Sequence, residues 1–82
     1  MVKCDSLLQS ALDAPAGLRF EELCQLAECY GFIRARQRGS HVIYKRPGYI
    51  RAMNFQNVRG MAKTYQVKQL LDALRELGLI DD

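Results

Sequence analysis

The sequence predicts an α+β fold in which helices cover one face of a small antiparallel sheet. Three observations carry that expectation. Apolar residues recur at three- and four-residue steps in three separate stretches, as amphipathic helices require. The stretch from Phe32 to Phe55 alternates in character and is cut twice by turn residues, at Arg38-Gly39 and at Pro47-Gly48. A chain of 82 residues cannot bury two faces of a sheet, so its helices must share one side and leave the other wet.

Taken in order, Asp5 is placed to cap a first helix whose Leu7, Leu8, Ala11 and Leu12 share a face, and Pro15 with Gly17 ends it. In the second helix Phe20, Leu23, Cys24 and Ala27 form the stripe. Glu21 and Glu22 sit in its first turn, where the helix dipole favours anions, and Gly31 stops it. Strands are expected over Phe32 to Gln37, Ser40 to Arg46 and Tyr49 to Phe55. Thr64 is placed to cap a last helix bearing Val67, Leu70, Leu71, Leu74 and Leu77, which Gly78 closes. The order α-α-β-β-β-α makes one domain over 1–82, with an appended helix over 1–15. On simple alternation Arg34, Arg36 and Arg38 line the wet side of the first strand, with Ile33 and Ala35 on the other. The side taken by His41 stays open, because Val42, Ile43 and Tyr44 are all apolar in character.

With 49% hydrophobic and 26% charged residues, the composition is that of an ordinary globular protein. No apolar run approaches the roughly 20 residues that span a bilayer. The first fifteen residues carry Asp5 and Asp13 where a signal peptide would be unbroken and apolar, so a cytoplasmic protein is expected. Cys24 and Cys29 fall on different faces of one helix, and three cysteines are an odd number. Reduced, partly buried thiols are therefore the expectation. Cys4, Cys24, Cys29 and His41 show no paired ligand spacing, so no metal is expected, nor is a small-molecule cofactor.

Charge is more informative than its net value of +3. Between Glu28 and Asp72 there is no acidic residue. Nine of the twelve basic residues lie there: Arg34, Arg36, Arg38, Lys45, Arg46, Arg51, Arg59, Lys63 and Lys68. Solvated faces normally mix signs, whereas an unopposed basic middle is the footprint of a surface that meets phosphates.

That middle also holds the only histidine. Cleaving RNA needs a base for the 2′-hydroxyl, an acid for the leaving 5′-oxygen and cations for the charge on the phosphorane. Imidazole, with an ordinary pKa of about 6.5, suits the proton work. His41 can fill one role, and the other would fall to water, Tyr44 or the substrate. Arg36, Arg38, Lys45 and Arg46 are close in sequence and suited to grip phosphate. Arg34 and Lys63 extend the basic set, and Ser40 either orients a phosphate or begins a strand. Spacing alone equally allows His41 to be a structural residue near a turn, with Gly39 there for its positive φ. Tyr44, Tyr49 and Tyr65 read either as base-stacking rings or as core.

The run GFIRARQRGSHVIYKRPG, preceded by the helix FEELCQLAECY, resembles the HicA family, the toxin half of HicAB toxin–antitoxin pairs. Gly39, Ser40 and His41 match the family's G-S-H signature on the second strand. The resemblance covers residues 19–80, and NVRGMAKTYQVKQLLDAL is similar to longer members that carry an additional N-terminal helix. It implies a core like a double-stranded-RNA-binding domain, α-β-β-β-α. It also implies a ribosome-independent mRNA endoribonuclease that depends on His41 and is blocked by a HicB-like antitoxin. Many shorter members have a second histidine after the third strand. Here that segment reads MNFQNVRG, with Asn54, Gln56 and Asn57, which excludes a two-histidine mechanism. Two other readings use the same residues: a module that holds RNA without cutting it, and a surface that mainly binds an acidic protein.

Overall fold

The computed structural model describes residues 3–81. The elements are α1 (Cys4–Asp13), a 3-10 turn (Pro15–Gly17), α2 (Phe20–Cys29), β1 (Ile33–Arg38), β2 (His41–Lys45), β3 (Met53–Gln56) and α3 (Thr64–Glu76). The α+β order expected from periodicity is the order observed. The strands form one antiparallel sheet in the order β1-β2-β3, with β2 in the middle and β1 and β3 as edges.

Helix starts follow backbone context more than the expected caps. α1 begins at Cys4 with Lys3 at the cap position and no side-chain cap, so Asp5 serves the first turn instead. α2 is opened by Arg19, whose backbone N–H donates to Glu22 Oε1 at 2.9 Å. At α3 the cap position is Lys63 and Thr64 is the first helical residue. Gly78, at φ +71°, supplies the left-handed residue that ends α3.

One apolar cluster holds the layers together. Val42, Tyr44, Met53 and Phe55 project from the sheet against Leu23, Leu26 and Ala27 of α2 and Val67, Leu70 and Leu74 of α3. Phe32 joins them from the α2–β1 connection. α1 adds Ala11, fully buried, with Leu7 and Leu8 partly so. All helices therefore lie on one face.

The third strand is shorter than expected. Pro47 and Gly48 turn the chain, with the Tyr49 N–H donating to the Arg46 carbonyl and Gly48 at φ +85°. The next residues leave the ladder and strap onto α3. Tyr49 donates its hydroxyl to Glu76, Arg51 pairs with Glu76 at 2.9 Å, and the Tyr49 ring stands edge-on to Phe32. Their side-chain partners lie in the helical layer, so pairing with β2 resumes only at Met53.

The expectation of three reduced thiols is overturned at two of them. Cys4 at the start of α1 and Cys29 at the end of α2 form a disulfide, while Cys24 is free and buried. Cys24 and Cys29 do point to different faces. The face that carries Cys29 is turned toward α1, with a Cα–Cα separation of 5.8 Å from Cys4. The bridge spans 25 residues of sequence and so removes loop entropy from the unfolded chain. Thiol reductant, or Cys4→Ser, is expected to lower unfolding free energy by about 3 kcal/mol in urea titrations. An unchanged midpoint would show that the bridge contributes nothing.

Candidate active site on the open face of the sheet

The sheet's pleat decides what faces solvent. Val42 and Tyr44 of β2 point into the core, so His41, Ile43 and Lys45 point away from it. The loop before His41 is a two-residue hairpin, Gly39-Ser40, in which Gly39 takes φ +59°. His41 is thus the first residue of β2, exposed, with Arg38 opposite on β1 and Gln56 opposite on β3. One pair further in, Ile43 lies between Arg36 and Asn54. Arg36, Arg38, His41, Ile43 and Asn54 together line a shallow groove. An imidazole, two guanidinium groups and an amide converge there over one apolar floor residue.

The arginine comb expected on β1 does not form as a unit. The register shifts between Arg34 and Arg36, leaving Ala35 as an extra bulged residue. Arg36 and Arg38 consequently share the face of His41, whereas Arg34 pairs with Tyr44 and turns to the other side. Ile33 is displaced by the same slip: it sits across from Lys45 and is 61% exposed. Arg34 donates from Nε and Nη2 to the Tyr44 hydroxyl at 3.3 and 3.2 Å, and from Nη1 to Gln37. Tyr44 in turn donates to Glu28 Oε2 at 2.6 Å. This chain of bonds ties β1, β2 and α2 beneath the sheet.

Other expected site residues scatter. Lys45 lies on the face of His41 but at the far end of β2, about 13 Å along the strand. Arg46 donates from Nε to the Tyr30 carbonyl at 2.7 Å, closing the end of α2, and is not brought to the groove. Ser40 is exposed in the hairpin, and its carbonyl accepts from Asn57 N–H at 2.8 Å, which extends the β2–β3 pairing by one step. Lys63 sits elsewhere, in a depression with Val58, Met61, Tyr65 and Lys68. Tyr44 cannot be the partner acid of His41, because it is fully buried on the opposite face. Burial, and then its bond to the Glu28 carboxylate, push its hydroxyl well above the ordinary value of 10. Burial likewise raises the Cys24 thiol.

Two residues of the site escaped sequence reasoning. Asn54 becomes a groove residue only through its register with Ile43. Gln66, a buried polar residue, accepts the Gln56 N–H on Oε1 at 2.8 Å and so fixes the strand end opposite His41. Its signal was present: Gln66 stands four residues before Leu70, a polar residue in phase with an apolar stripe. Among the described residues no group of three His, Cys, Asp or Glu side chains is placed to hold a metal ion.

The family described as the HicA toxin of bacterial toxin–antitoxin systems matches residues 20–79. The chain belongs to the HicA toxin family. It is thus the toxin of a pair, and an antitoxin is its partner. No curated protein and no solved structure matches it. The matched span of this HicA toxin takes in α2, the sheet and α3 and leaves out α1, so the Cys4–Cys29 bridge fastens an element outside the match to the first helix within it.

The Tyr44 cluster has a definite pH signature. Its phenol ionises at a higher pH in the folded protein than in the unfolded chain, so the stabilisation is complete below about pH 10 and is lost as pH rises beyond it. Tyr49, raised by its bond to Glu76, acts in the same direction. Urea midpoints taken from about pH 8 to about pH 11 should fall in the upper half of the range. Tyr44→Phe should remove most of the slope; an identical slope in that variant would refute the assignment.

Proposed function

We propose that this HicA toxin is a metal-independent mRNA endoribonuclease, an mRNA interferase that acts without the ribosome in the cytoplasm. The observation that carries the reading is the groove itself, where an exposed imidazole lies beside two guanidinium groups on one face of the sheet. His41 takes or gives the proton at the ribose 2′-hydroxyl or the leaving 5′-oxygen. Arg36 and Arg38 grip the scissile phosphate and the charge that builds on it, arginine being suited to bidentate contact. Asn54 offers an amide to a ribose or base, Ser40 a hydroxyl at the groove's mouth, and Lys45 a cation further along the backbone path. Arg34 and Arg46, engaged with Tyr44 and Tyr30, are left out of the grip.

The remaining proton role falls to water or to the RNA, now that Tyr44 lies under the sheet. Such a site is a modest catalyst, in keeping with a single imidazole. Every groove residue comes from β1, β2 or β3, so the chemistry does not depend on the Cys4–Cys29 bridge, and a reducing cytoplasm is compatible with it. A HicB-like antitoxin with acidic groups complementary to Arg36 and Arg38 would occlude His41 in the same contact.

The absence from the groove, among the described residues, of a second side chain that exchanges a proton near neutral pH favours one competing reading: a module that binds RNA and leaves it whole. Purified protein incubated with RNA in excess chelator separates the two. Cleavage is expected, and His41→Ala should slow it by about a hundred- to ten-thousand-fold while RNA binding persists. Arg36→Ala and Arg38→Ala should each weaken binding and lower the salt slope of the affinity by about one. Undiminished cleavage by His41→Ala would eliminate the catalytic assignment.

A further inference from the structure

Beyond β3 the chain offers an aromatic ring among cations, away from the groove. Val58 and Met61 bond to each other through both backbone groups, with Arg59 at φ +54° and Gly60 at φ +85° in the turn between them. The loop is rigidly braced: Asn57 Oδ1 accepts from the Gly60 N–H, and the Gly60 carbonyl accepts from Phe20 at the head of α2. Val58, Met61 and Tyr65 stay exposed there, Tyr65 by 55%. Lys63 Nζ lies 5.8 Å from the centre of the Tyr65 ring, and Lys68, three residues on, shares its helix face. Among the described residues no carboxylate lines this depression.

The ring is also coupled to the catalytic groove. Gln66 donates from Nε2 to the Tyr65 hydroxyl at 3.3 Å while its Oε1 holds the Gln56 N–H, and Gln56 is the cross-strand partner of His41. One buried side chain therefore sets Tyr65 at the same end of the sheet as His41. We propose that Tyr65, flanked by Lys63 and Lys68, is a stacking platform for an unpaired base of single-stranded RNA whose backbone continues into the His41 groove. This rests on the ribonuclease reading and adds a substrate requirement, an unstacked base next to the cut. A flat ring with one face partly covered by an ammonium group and the rest open suits a base and its phosphate better than an acidic peptide, which needs charges alone.

The test uses a short 2′-O-methyl oligoribonucleotide, which cannot be cut through its 2′-oxygen, with affinity read by fluorescence anisotropy. Tyr65→Ala should weaken binding by about tenfold or more, whereas Tyr65→Phe, which keeps the ring and loses only the Gln66 bond, should weaken it far less. An oligomer of the same length carrying abasic positions should erase the difference. Lys68→Ala should lower the salt slope by about one. Equal binding by Tyr65→Ala, a difference that survives in the abasic oligomer, or no binding by any form would overturn the platform. Tyr65-dependent binding together with undiminished cleavage by His41→Ala would sink the catalytic assignment and leave the platform standing.

Discussion

The presentation of His41 is a by-product of burying Val42 and Tyr44. Each side chain driven under the sheet is worth about 1.5–3 kcal/mol in transfer free energy, and Phe55 and Met53 across the ladder add theirs. A strand has only two faces, so the same force that draws these four inward sends His41, Ile43 and Asn54 outward. A one-residue slip of β2 would bury His41 and Lys45 and expose Val42 and Tyr44. The helical layer thus holds the site in register from beneath, meeting it where Gln66 of α3 accepts the Gln56 N–H. Tyr44 reinforces the arrangement because its hydroxyl has partners in both β1 and α2, which makes its position specific as well as apolar.

The cations divide along the same plane. Arg34, Arg46 and Arg51 are bound to groups of their own chain, while Arg36, Arg38 and Lys45 stand on the open face. Among the described residues the ion pairs are Arg51–Glu76 and Arg75–Asp72, both at the surface, where such pairs contribute little. The acid-free middle of the chain therefore remains electrostatically unsatisfied on the side that carries the histidine. An unsatisfied surface of one sign invites a polyanion.

Much of this was legible in the residues. Three- and four-residue apolar steps located all three helices and turn chemistry located the hairpin that delivers His41, while charge counting picked out a basic middle of which only Arg36, Arg38 and Lys45 stand on the open face. Reading failed where a long-range partner overrode a local rule. Alternation assigned Arg34 to the comb because nothing in the run IRARQR announces a bulge; with the slip at Ala35, Arg34 meets Tyr44, a partner ten residues away from it in sequence. Tyr49 has strand character, yet Glu76 and Phe32 draw it into the helical layer. The Cys4–Cys29 bridge depends on how α1 lies against α2, which no spacing within either helix encodes.

The edge position of β1 has its own consequence. All six of its residues are exposed, and an unpaired edge of this kind is ordinarily sticky toward a second strand. Two copies meeting rim to rim would bring Arg36 and Arg38 of one against Arg36 and Arg38 of the other, guanidinium opposing guanidinium. The positive charge that equips the sheet for a polyanion therefore also discourages the toxin from polymerising with itself.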